Sequence, residues 1–217
     1  MREIIPTILV NSKKEFEERL RIEEQLASTV QIDILDGTLF PVTNWHDADA
    51  VAQIQTNVAF ELHLMVNNPL PIIAEWVTKV PNVKRAIVHA EIERPIGKII
   101  EEIHTIYLIE AGVAINPETP IEEIHSNLPD LDVLTIMGVR PGINGAPFEG
   151  AYILDKIREA KNRAPNLTIE VDGGISAELI PSLVQAGAER FALASAIFKA
   201  SSPKEAWEEL QKALQKT

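Results

Sequence analysis

The sequence predicts an α/β fold, a (β/α)8 (TIM) barrel occupying residues 1–217 as a single domain. Strand-like and helix-like segments alternate from end to end, with eight β-type runs in all. No linker, low-complexity segment or shift of composition interrupts that alternation. The 217-residue length lies somewhat under the ~250 typical of such barrels, so the connections should be short. A doubly wound open sheet usually needs fewer strands and a clear switch point, which makes it the weaker alternative.

The elements follow in order. Ile4–Leu9 is the first apolar run, and Ser12–Ala27 is helical in pattern, with Phe16, Leu20 and Leu26 along one side. Val30–Ile34 and Val58–Leu64 are the second and third strands, and Pro69–Val80 the helix after them. Arg85–His89 is followed by a helical pattern over Pro95–Glu110, then Gly112–Ile115 and Val133–Met137. Gly150–Arg163 is the next helix, and Leu167–Val171 and Arg190–Leu193 complete the strands. The last helix opens with Ser202-Pro203-Lys204-Glu205: a capping hydroxyl, a proline suited to the first turn, and a glutamate that completes a capping box. Trp207, Leu210 and Leu214 form its buried stripe.

Composition narrows the function. With 46% hydrophobic and 24% charged residues the chain is an ordinary globular one. It has no cysteine, which excludes disulfides, thiol nucleophiles and cysteine-held metals. Its apolar runs are strand-sized and its first residues lack a leader pattern, so a cytoplasmic protein is expected. A net charge of −12 argues against nucleic acid or anionic membranes as partners. The same charge repels anionic substrates at long range, so a phosphate site must be built from local groups.

Chemistry concentrates at strand ends, where barrels of this kind carry their active sites. In Gln31-Ile32-Asp33-Ile34-Leu35-Asp36-Gly37 the alternation puts Gln31, Asp33 and Leu35 on one face. Burying an unpaired charge is costly, so Asp33 asks for a metal, a cation or a substrate proton as partner. On the third strand Glu61, His63 and Met65 share a face; His89 and Glu91 end the fourth, Thr135 and Met137 the sixth, and Glu170 and Asp172 the seventh. Asp33, His63 and Asp172 together suit a divalent cation with mixed oxygen and nitrogen ligands. Two carboxylates on separate strands also suit proton transfer on opposite faces of one carbon, with the cation stabilising an enediolate. Three glycine-bearing or small-residue loops are candidates for phosphate: Arg140-Pro141-Gly142-Ile143-Asn144-Gly145, Asp172-Gly173-Gly174-Ile175-Ser176, and Ala194-Ser195-Ala196-Ile197, which opens a short helix.

With these motifs in view, the chain resembles the ribulose-phosphate 3-epimerase family over nearly its whole length. Pro6-Thr7-Ile8-Leu9 is similar to the family's Pro-Ser-Ile-Leu, and Asp33-Ile34-Leu35-Asp36-Gly37 with Phe40-Pro41 to its Asp-x-Met-Asp-Gly and Phe-Val-Pro. His63-Leu64-Met65-Val66 with Pro69, Asn116-Pro117-Glu118-Thr119-Pro120, Met137-Gly138-Val139-Arg140-Pro141-Gly142 and Val171-Asp172-Gly173-Gly174-Ile175 follow in the family's order. The resemblance implies epimerisation at C3 of a pentulose phosphate, D-ribulose 5-phosphate to D-xylulose 5-phosphate. It implies Asp33 and Asp172 as the two acid/base groups and, with His63, as ligands of one divalent ion (Zn, Mn, Fe or Mg). Thr7, Met65, Met137, Gly142, Gly145, Gly173, Gly174, Ala194 and Ser195 would contact the substrate. A phosphorylated sugar is then the expected partner, with a homo-oligomer the expected assembly.

The chain also departs from the family pattern. Gln31 stands where the family's first metal ligand is a histidine, and an amide oxygen is the weaker ligand. Leu35 replaces a methionine, Ile143-Asn144-Gly145-Ala146 replaces Phe-Gly-Gly-Gln, and Ala194 replaces a glycine. Arg140 stands at a position usually acidic or amide-bearing. These changes leave two alternatives, an epimerase or isomerase of another phosphorylated ketose such as a hexulose 6-phosphate, and an impaired homologue serving in binding or assembly. A decarboxylase would need Asp-x-Lys-x-x-Asp, whereas Asp33 is followed by Ile34 and Leu35.

Overall fold

The computed structural model describes residues 2–142 and 145–216; Ile143 and Asn144 of the expected phosphate loop lie outside the described residues, as do Met1 and Thr217. Eight parallel strands close into a barrel in sequence order: β1 (Glu3–Ile8), β2 (Thr29–Ile34), β3 (Ala59–Leu64), β4 (Val83–His89), β5 (Glu110–Ile115), β6 (Val133–Met137), β7 (Thr168–Asp172) and β8 (Arg190–Leu193). The register pairs Asp33 with His63 and Met137 with Asp172, which brings the polar strand ends to one rim.

The outer layer holds α1 (Lys13–Glu23), α2 (Ala48–Ala52), α3 (Pro69–Lys79), α4 (Ile96–Glu102), α5 (Ala151–Arg163), α6 (Ile180–Ala186), α7 (Ser195–Phe198) and α8 (Pro203–Gln215). The cap expected at the last helix is present, with Ser202 Oγ accepting the Glu205 N–H at 3.3 Å. Two helical spans are shorter than the pattern suggests. α1 ends before Leu26, and α4 passes into a π-turn over Ile103–Tyr107 that stops at Leu108, whose φ of 55° breaks the helix so that Glu110 begins β5 instead. The segment Ile121–Asp130 is 3-10 helical and includes Pro129. No helix of the described residues is long and apolar enough to cross a membrane.

The main core lies between sheet and helices, where Phe16, Leu20, Phe60, Trp76 and Phe191 are fully buried. Inside the barrel, Ile87, Ala114, Val133 and Met137 form a small apolar cluster. Nearer the N-terminal ends of the strands the interior is ionic. Arg190 donates from Nε to Glu170 at 2.8 Å and also pairs with Glu61 and Glu3; Arg85 Nη1 reaches Glu61 at 2.6 Å and pairs with Glu110. Burial, followed by the neighbouring Glu170, raises the Glu61 carboxyl to about 8 against the pull of both arginines.

Glu23 at the end of α1 is fully buried, and neither carboxyl oxygen has a hydrogen-bond partner among the described residues. Burial pushes its pKa well up, with Arg19 opposing only in part. The folded acid therefore stays protonated over a range in which the unfolded one ionises, so its contribution to stability falls as pH rises above about 4.5. Glu23→Met removes the unsatisfied group and is expected to stabilise the fold by about 1–3 kcal/mol at pH 8, with a smaller gain at pH 5. Urea unfolding at the two pH values checks this, and equal stability of parent and variant at pH 8 would refute it.

Candidate active site

Alternation along β2, β3 and β7 turns Gln31, Asp33, His63, Glu61, Glu170 and Asp172 into the barrel. Asp33, His63 and Asp172 are buried and meet at the C-terminal rim. His63 Nδ1 stands 3.1 Å from Asp33 Oδ1 and 3.1 Å from Asp172 Oδ2. Beneath them, fully buried Gln31 turns its amide nitrogen to the same group. Nε2 donates to Asp172 Oδ2 at 2.7 Å and to Asp33 Oδ1 at 2.9 Å, and lies 3.3 Å from His63 Nδ1. Its Oε1 is buried without a partner among the described residues. Burial alone would lower the pKa of His63, but the hydrogen bonds of Asp172 and Asp33 outweigh it and raise the pKa of the imidazole. The His63 ring and the Gln31 amide thus lie together between the two carboxylates.

This group fits a divalent cation. Each of Asp33, His63 and Asp172 offers one ligand atom, all within 4.8 Å of one another. Donors around a four-coordinate ion at ~2.0 Å stand ~3.3 Å apart, near the 3.1 Å between His63 Nδ1 and either carboxylate. The mixture of carboxylate oxygen and imidazole nitrogen suits zinc, manganese or iron. Gln31 is the exception: the atom it presents is a donor, and the oxygen that could ligate faces away.

A cleft opens above this group. Thr7, Asp33, His63, Met65, Met137, Gly142, Gly145, Asp172, Gly173, Gly174, Ala194 and Ser195 all line it; Gln31 does not. Thr7 Oγ1 is buried on the wall without a partner among the described residues. Gly174 has φ 71°, and a Cβ there would stand 2.6 Å from the backbone nitrogen of Phe148, so only glycine admits the strand-to-loop turn against the neighbouring chain. Arg140 also lines the cleft but is largely exposed, and its Nε lies 3.9 Å from Glu118 and 3.8 Å from Glu149, so its charge is shared at the rim.

Two features were not apparent from residue types alone. Nζ of Lys199 fills the space where a Cβ on Gly145 would stand, which puts an exposed cation beside the glycine loop and Ser195. The four-residue spacing from Ser195 along α7 was its only signal in the sequence. His89 and Glu91, which the sequence places at the end of the fourth strand, join a hydrogen-bond chain to His63. The other histidines stay apart from the site. His46 remains in its own loop, 2.9 Å from the Asn44 carbonyl, while His104 pairs with Asp132 and His125 lies beside Arg163.

The family described as "Ribulose-phosphate 3 epimerase family" matches residues 3–198. The chain is 32% identical over 200 residues to the Ribulose-phosphate 3-epimerase of Bacillus subtilis (strain 168), covering 88% of each chain. Among solved structures it resembles KGPDC from Streptococcus mutans, with a TM-score of 0.74 at 12% identity over 98% of this chain and 97% of that one. It also resembles a 3-Hexulose-6-Phosphate Synthase, with a TM-score of 0.70 at 14% identity over 99% and 100% of the two chains. At those identities the two structures share the fold alone.

Proposed function

The chain belongs to the ribulose-phosphate 3-epimerase family, and from that premise we propose that it interconverts D-ribulose 5-phosphate and D-xylulose 5-phosphate by proton transfer at C3. The observation that carries this reading is the meeting of Asp33, His63 and Asp172 at the floor of the cleft. One aspartate, ionised, takes the C3 proton, and the electron pair moves into an enediolate over C2 and C3. The other, protonated, returns a proton to the opposite face of C3, and the carbonyl re-forms at C2. The two acids exchange protonation states in each turnover, which suits a reaction that runs in both directions.

A divalent ion held by Asp33, His63 and Asp172 would supply Lewis-acid stabilisation of the charge that develops on the substrate oxygens. Thr7 Oγ1, with no partner among the described residues, is a donor for a substrate oxygen, and Met65 and Met137 give the reacting carbon an apolar surround. Phosphate is held by backbone N–H groups of the loops at Gly142, Gly145, Gly173, Gly174, Ala194 and Ser195, with Lys199 as a nearby cation. α7 is a single turn, so individual N–H groups matter more there than any helix dipole. The reading includes a cytoplasmic, self-associating enzyme; exposed Ile106 and Leu108 on the outer layer support the second of these.

Conversion of ribulose 5-phosphate to xylulose 5-phosphate, after chelation and after restoring Zn²⁺, Mn²⁺, Fe²⁺ or Mg²⁺ one at a time, tests the proposal. Restoration by at least one ion is expected, and absence of product with every ion would remove the substrate assignment.

Gln31 sets a further expectation. To ligate, its carboxamide must turn, which gives up two donor bonds to carboxylates and leaves the amide nitrogen where the oxygen now has no partner. Gln31→His is therefore expected to raise affinity for Zn²⁺ by at least about 10-fold. Calorimetric titration of parent and variant checks this; unchanged affinity would mean that another residue completes the shell.

A further inference from the structure

We propose that His89 and Glu91 act as a positioning relay that fixes which ring nitrogen of His63 presents its lone pair to the Asp33–Asp172 group. Glu91 touches neither the cleft nor the carboxylates. Its Oε1 accepts the Asn116 N–H at 2.7 Å and the Thr119 hydroxyl, and its Oε2 lies 3.0 Å from His89 Nδ1. An ionised carboxylate can only accept, so His89 Nδ1 carries the proton.

His89 is fully buried, and its Nε2 stands 3.0 Å from His63 Nε2. Two ring nitrogens at that distance share one proton. With Nδ1 of a neutral His89 already protonated, its Nε2 is the acceptor and His63 Nε2 the donor. His63 Nδ1, the nitrogen 3.1 Å from Asp33 and 3.1 Å from Asp172, is then left to offer the lone pair whenever His63 is neutral. The donors run one way from His63 to Glu91, and the direction is set at the Glu91 end.

The relay is held firmly. The His63 and His89 rings lie at 17° to one another, and Phe40 packs its edge against His89 at 5.2 Å between centroids. The loop that anchors Glu91 is itself clamped by Lys156, whose Nζ donates to the carbonyls of Asn116 at 3.0 Å, Pro117 at 2.6 Å and Thr119 at 2.6 Å. Glu91 thus joins the end of β4 to the loop after β5, while α5 holds that loop in place.

The inference rests on the reading of His63 as a metal-holding side chain, and the test separates the two. Glu91→Gln keeps shape and buries no new bulk. Its carboxamide oxygen stays with the Asn116 N–H, so its NH₂ faces His89 Nδ1 and reverses the chain. His89 then carries its proton on Nε2, and His63 is left with N–H on the side facing the carboxylates. The variant is expected to bind Zn²⁺ about 10–100-fold more weakly than the parent by calorimetry. Long-range ¹H–¹⁵N correlation on the full-length, chelator-treated protein is expected to find His89 protonated at Nδ1 in the parent and at Nε2 in the variant. A merely structural Glu91 would not move that tautomer. Parental zinc affinity in E91Q, or a parent His89 already protonated at Nε2, overturns the relay. A parent that binds no divalent ion overturns the metal reading and the purpose given to the relay with it.

Discussion

Asp33→Asn and Asp172→Asn are each expected to cut turnover of ribulose 5-phosphate by about 10²–10⁴-fold, the usual contribution of a positioned acid or base. Asparagine keeps the shape of the side chain and removes its ability to take a proton. The two aspartates reach the floor of the cleft from β2 and β7, and His63 Nδ1 lies 3.1 Å from each, so both variants also remove a charge from the group that would hold the cation. Metal titration alongside the kinetics separates the two effects. A loss that persists at saturating metal belongs to proton transfer, and one that metal repairs belongs to binding. Full activity in either variant would take that residue out of the mechanism.

Arg190→Met is expected to destabilise the fold by about 3–5 kcal/mol at pH 8, the range seen when one partner of a buried ion pair is removed. Arg190 is 4% exposed and pairs with Glu170 and Glu61 inside the barrel and with the partly exposed Glu3. Without it Glu61 and Glu170 face each other with only Arg85 beside Glu61 and the Thr135 hydroxyl 2.9 Å from Glu170. The sign of the pH dependence follows from Glu61, already raised to about 8 by burial and by Glu170. A carboxyl whose folded pKa exceeds its unfolded value loses stabilising effect as pH climbs from about 4.5 towards the folded pKa. The defect should therefore be smaller at pH 5 than at pH 8, and Glu170→Gln should repair part of it. Denaturant unfolding of the single and double variants measures both, and a loss under about 1 kcal/mol would show that the ionic layer adds little.

The strands were legible in the sequence because buried parallel strands are apolar runs, and their observed ends differ from the expected ones by at most two residues. The π-turn at Ile103–Tyr107 was not, since its residues continue the helical pattern and only the backbone at Leu108 marks the break. Asp33, His63 and Asp172 were legible as acids and a histidine at equivalent strand ends, and the barrel brings all three together. The direction of the Gln31 amide was not, because period-2 alternation gives a face but not which end of a carboxamide points inward. Arg190 read as the start of an apolar strand; its partners Glu61 and Glu170 come from strands distant in sequence. Lys199 reaches Gly145 across two loops, a tertiary contact that local pattern does not encode.

In the proposed mechanism Asp33 and Asp172 move a proton at C3 of ribulose 5-phosphate. Deuterium incorporation measures this without regard to the position of equilibrium. The substrate is incubated with enzyme in heavy water containing the activating metal ion, and recovered ribulose and xylulose 5-phosphates are read by NMR. Deuterium is expected at C3 of both sugars, and its loss in the two asparagine variants. No exchange at C3 with any divalent ion, or exchange at C1 alone, would contradict that mechanism.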